Sequence, residues 1–173
     1  MIRRRPTPCV VDTNVAVVAN GRSTAGAKCS ATCANRLSEV VADGHIVLDA
    51  SGHILAEYRA NLNPSGQPGP GDRFYKWVLL NQWNQQRCTR VEITHAADGS
   101  IAEFPDHESL WGFDPSDRKF IAVAAVHPDK PCVLQAYDSK WWPLRHAFEK
   151  CGISITFLCP REIEAKYQEK HGG

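Results

Sequence analysis

The feature that most constrains this chain is an alternation of short apolar runs with stretches of helical patterning. Strand-like runs lie at Pro8 to Asp12, His45 to Asp49, Arg90 to Thr94, Cys132 to Tyr137 and Ile153 to Leu158. Between them, helices are expected near Ala27 to Ala42, Gly52 to Asn61, Asp72 to Gln86, Pro115 to Val126 and Trp141 to Lys150, with a short one from Pro160. Strands separated by helices must run parallel and be covered on both faces, so the pattern predicts an α/β fold, a three-layer α/β/α sandwich around a mostly parallel central sheet. The stretch Asn63-Pro64-Ser65-Gly66-Gln67-Pro68-Gly69-Pro70-Gly71 reads as a loop. A chain of 173 residues, 43% of them hydrophobic, suffices for one core, so residues 1–173 read as a single domain with a flexible basic start over 1–7.

A formal net charge of +1 excludes a broadly basic surface that would grip duplex DNA nonspecifically, so any nucleic-acid affinity must be local. No run of about 18 apolar residues occurs, and the basic start leads into a proline and a strand rather than a signal peptide. The expectation is a cytoplasmic protein with no membrane span. The seven cysteines fit that setting as structural thiols: Cys29 and Cys33 are spaced for one helical face rather than for a zinc knuckle, and a disulfide scaffold is not expected.

The topology gives the acidic residues a meeting place, because ligands of open parallel sheets sit at the carboxyl ends of the strands. Asp12 and Asp138 follow two strand-like runs, Glu57 lies in the helix after the second, and Asp114 and Asp117 open the helix carrying Phe120-Ile121-Ala122-Val123. An Asp after a strand is also an ordinary helix N-cap. Four carboxylates converging on one pocket repel one another unless a divalent cation neutralises them, and oxygen-only donors select Mg2+ or Mn2+ over zinc.

Asp12-Thr13-Asn14 after an apolar strand, Glu57 in Ile-Leu-Ala-Glu-Tyr, Asp117 in Asp-Arg-Lys-Phe-Ile-Ala and Asp138 in Ala-Tyr-Asp-Ser-Lys-Trp together resemble the four acidic motifs of PIN-domain nucleases, in order and spacing over nearly the whole chain. The resemblance implies a Mg2+- or Mn2+-dependent phosphodiesterase acting on RNA, often the toxin of a bacterial toxin–antitoxin pair, with an antitoxin partner and a homodimer as associated expectations. It implies Asp12, Glu57, Asp117 and Asp138 as metal-binding and catalytic residues. Thr13, Asn14, Asp114 and Ser139 would be auxiliary, and Asp114 competes with Asp117 for the third place. The longer Pro/Gly loop and the segment from Thr94 to Phe113 depart from a minimal toxin.

Arg118, Lys119 and Lys140 adjoin the acidic motifs, and at least one, Arg118 or Lys140 first, is a candidate for substrate phosphate. His53, four before Glu57, reads as a packing residue, as do Trp141 and Trp142, though stacked bases would suit the latter pair. Rival classes fit less well. A haloacid dehalogenase-like phosphatase wants a second Asp where this chain has Asn14, and a receiver-like domain wants an acidic pair that is missing. A PIN-like module that binds RNA or protein without cutting stays open.

Overall fold

A computed structural model describes residues 6–172. Its centre is a five-stranded, all-parallel sheet of β1 (Pro8–Val11), β2 (His45–Asp49), β3 (Cys88–Val91), β4 (Cys132–Gln135) and β5 (Ile155–Phe157), in the order β3-β2-β1-β4-β5. Seven helices accompany it: α1 (Thr13–Ala19), α2 (Ala27–Asp43), α3 (His53–Asn61), α4 (Pro70–Asn81), α5 (Arg118–Val126), α6 (Arg145–Lys150) and α7 (Pro160–His171). This is the expected α/β sandwich. The basic start expected to be flexible lies, up to Arg5, outside the described residues.

Burial explains the elements. Val10, Val11, Ile46, Val47, Leu48, Val133 and Leu134 are all essentially inaccessible, as strands covered on both faces require. β1 occupies the middle, pairing Cys9 with Ile46 on one side and with Cys132 on the other. The chain order reverses between β1 and β4, which makes their carboxyl ends the switch point where such sheets open a crevice.

The structure redraws several boundaries. Thr13 and Asn14, placed by sequence after a strand with no helix expected before Ala27, form the first turn of α1, a helix whose small and β-branched residues lack a polar stripe because it packs against α2 and α4. That packing is close: a Cβ on Gly71 would stand 2.1 Å from the Ala16 carbonyl oxygen, so only glycine lets α4 approach there. α4 begins at Pro70, where a proline's missing N–H costs nothing, and the buried Asp72 carboxylate accepts hydrogen bonds from Gly69 N (3.0 Å) and Asn63 N (2.8 Å). β3 begins two residues and ends three residues earlier than expected, in register with β2 through Ile46 and Cys88. β4 stops at Gln135, so Asp138 lies in the turn beyond the strand rather than at its end.

The cysteines hold the other departure. Cys29 on α2 and Cys159 before α7 form a disulfide across a sequence separation of 130, a pairing over a distance that local spacing does not reveal.

The long connection between β3 and α5 is irregular but anchored. Phe104 stacks on Phe113, which meets Trp141 and Phe148 edge-on. Arg118 straps the loop by donating to the carbonyls of Trp111 (2.7 Å) and Phe113 (3.1 Å), with its guanidinium over the Phe104 ring. No helix among the described residues is long and apolar enough to cross a membrane.

Candidate metal centre

β1 delivers Asp12 to the switch point, where it takes the N-cap position of α1, yet its side chain accepts no capping hydrogen bond from that helix. Its Oδ2 instead accepts from Gln135 Nε2 at 2.6 Å. Gln135, the last residue of β4 and fully buried, accepts in turn from the N–H groups of Ala136 (2.7 Å) and Asp138 (3.2 Å). Asn14 Oδ1 accepts from Tyr137 N at 2.7 Å. These bonds tie the end of β1 to the turn after β4.

Around Asp12 the structure brings together Glu57 from α3 and Asp117 from the short 3-10 turn Pro115–Asp117, each offering a carboxylate oxygen within 4.8 Å of the other two. Asp138 stands outside that close group, its Oδ1 accepting from Lys140 N (3.0 Å), but its charge still bears on both Asp12 and Asp117. Asp114 is placed differently: it caps the Pro115–Asp117 turn through Ser116 and pairs with Lys140 at 3.1 Å. Of the two aspartates competing for the third place, Asp117 is the one beside Asp12 and Glu57.

The electrostatics reflect crowding. Asp12 is held well above the usual carboxylate range, first by burial and then by the charges of Asp117 and Glu57. Asp117 is pushed up to about 6, again by burial first and then by Asp138 and Asp114, while the Trp141 indole N–H at 3.2 Å opposes the shift. Carboxylates with raised pKa values in a shared pocket hold protons where a cation would replace them.

Three further residues shape this pocket in roles that their sequence positions did not reveal. Lys119, though charged, is buried, and its ammonium contacts both the Glu57 carboxylate and the Ser116 carbonyl. Gln135 orients Asp12, and Trp141, expected to pack, does so completely while its N–H holds Asp117. A Gln ending an apolar strand and a Lys beside an acidic motif were the available hints.

The donor set fits a hard divalent cation, since it contains only oxygens. The hydroxyl of Thr13, next in sequence to Asp12, is buried without any hydrogen-bond partner. Ser139 is buried in the turn after Asp138. Lys140 is exposed on the rim at Asp114, whereas Arg118 is committed to the loop carbonyls described above. His53 lies apart, its ring tilted against that of His95 with centroids 3.9 Å apart.

Set beside known protein families, curated proteins and solved structures, the chain matches none of them.

Proposed function

We propose that this chain is a Mg2+- or Mn2+-dependent endoribonuclease whose cation is held by Asp12, Glu57 and Asp117, with Asp138 contributing charge from the adjoining turn. The observation that carries this reading is the side chain of Asp12. It sits at a helix N-cap, fully buried, and leaves the helix amides alone to face two other carboxylates. A structural cap would do the opposite.

The cation, when bound, supplies the positive charge and the acidified water that phosphodiester hydrolysis demands. The rest is the work of the chain. Gln135 and Trp141 hold the oxygens of Asp12 and Asp117 in fixed directions by N–H donation, and pre-set ligand directions of this kind sharpen a metal site. Lys140, exposed on the rim and paired there with Asp114, could exchange that partner for a backbone phosphate as a point charge. RNA as substrate, a cytoplasmic setting, an antitoxin whose basic side chain enters the same pocket, and a homodimer belong to this reading through the PIN-like motifs.

A second reading, a PIN-like module that binds without cutting, draws support from one contact. The Lys119 ammonium already neutralises Glu57, so the pocket carries an internal cation. The test is cleavage of a mixed panel of single-stranded RNA and DNA in Mn2+, Mg2+ or EDTA, beside Asp12→Asn. Metal-dependent cutting of RNA that the variant loses supports the nuclease. Mn2+ binding by calorimetry with no cutting favours the silent module.

A further inference from the structure

A disulfide needs two cysteines, but a third lies against this one. Cys29 and Cys33, four residues apart on α2, share a helical face, and both face Cys159, the N-cap residue of α7. All three are buried, at 1%, 0% and 2% exposure. Their sulfurs lie within 4.8 Å of one another, with Cys33 Sγ 3.9 Å from Cys159 Sγ. In a tetrahedral thiolate site with metal–sulfur bonds of about 2.3 Å, neighbouring sulfurs stand about 3.8 Å apart. The unbonded pair is already at that spacing.

We propose that Cys29, Cys33 and Cys159 form, in the reduced chain, a binding site for a thiophilic d10 cation, Zn2+ or Cu+, that pins α7 to α2. The disulfide is the oxidised alternative of the same site. An external thiol reductant cleaves the Cys29–Cys159 bond, two reductant thiols becoming one disulfide as the two cysteine sulfurs gain two electrons and two protons. The cation then displaces the protons of the three thiols to solvent and takes three sulfur bonds.

The surroundings suit that exchange. Cys159 sits at the amino end of a 12-residue helix, whose dipole favours negative charge on its sulfur. Three thiolates complete a trigonal shell for Cu+, whereas Zn2+ takes a fourth donor. Half-buried Glu162, in the first turn of α7, is the candidate. Soft sulfurs here and hard oxygens at Asp12 would sort two kinds of ion between two sites of one chain.

The experiment uses the full chain reduced with a phosphine, freed of reductant without air, and titrated with Co2+ as a coloured probe, then with Zn2+ and, separately, Cu+. The expected result is a thiolate-to-cobalt charge-transfer band, which carboxylates do not give, saturating at one equivalent beyond any Co2+ held by the carboxylates and displaced by Zn2+ or by Cu+; whichever displaces it more tightly names the ion. Cys33→Ser and Cys33→Ala, each folded by circular dichroism, should weaken binding at least about tenfold, while Cys9→Ser should not. The unreduced chain should show no such band. A reduced, folded chain without the charge-transfer band, or a Cys33 variant that binds as tightly as the parent, overturns the proposal.

Discussion

Two buried aspartates stand at the same edge of the sheet and meet opposite fates. Asp49 ends β2 at 0% exposure, and its carboxylate accepts from His53 N at 2.7 Å and Ile54 N at 2.8 Å, the first amides of α3. Asp12 follows β1 at 3% exposure, directly before α1, and takes no amide from that helix. One carboxylate is satisfied by the orphan donors that every helix start presents, while the other is crowded by Glu57 and Asp117. Identical residue type, strand end and burial therefore yield a structural cap in one place and a candidate ligand in the other. The difference lies in where the lone pairs go.

The comparison breaks most sharply by mutation. Asp12→Asn should lower metal-dependent cleavage at least about a hundredfold with no loss of thermal stability, because the amide keeps the volume, can still accept from Gln135, and relieves charge crowding. Asp49→Ala should do the reverse, costing about 2 kcal/mol in denaturant melts through the lost cap and two stranded amides, with activity per folded molecule retained. An Asp12→Asn enzyme that cuts at the parental rate would remove Asp12 from the site. Next in size, Asp117→Asn should weaken Mn2+ binding in calorimetry by about tenfold or more and Asp114→Asn much less, since Asp114 is engaged by Ser116 and Lys140. Equal losses would erase the distinction between them.

Acid sharpens the same contrast. The carboxyls of Asp12 and Asp117 titrate higher in the folded chain than in the unfolded one, so the native state binds more protons and metal-free stability falls as pH rises. For Asp117 the destabilisation is complete above about 6 and relieved as pH drops from there toward its ordinary 3.8. Melting temperatures of metal-free protein should therefore rise on acidification through that window, less so in Asp117→Asn, and Mn2+ should reverse the trend at neutral pH. The smallest effect expected is from Lys119→Gln, which takes the ammonium off Glu57 and should tighten Mn2+ binding by a few-fold. Weaker binding in that variant would make Lys119 a support of the pocket rather than a competitor.

Much of this was legible in the residues, and the failures have physical causes. The parallel sandwich and the limits of β2 followed from apolar runs, because strands covered on both faces cannot hide their composition. The helix α1 did not, since Val15 to Ala19 is apolar all round and periodicity cannot separate a buried helix from a strand. Carboxylate types at strand ends announced a pocket, yet the same rule applies to Asp49, and only coordinates separate a cap from a ligand. The partners of Lys119 and Gln135 and the Cys29–Cys159 bond were silent because each partner lies far away in sequence: 62, 123 and 130 residues respectively.

That separation between Asp12 and Gln135 bears on the order of events during synthesis. β1 leaves the ribosome well before β4, and until β4 follows it lacks that neighbour and Asp12 lacks the amide that orients it. Parallel pairings of such long range form late and slowly. If the chain cuts RNA as proposed, it would pass messenger and ribosomal RNA with its pocket unbuilt until Gln135, 123 residues after Asp12, has followed it off the ribosome.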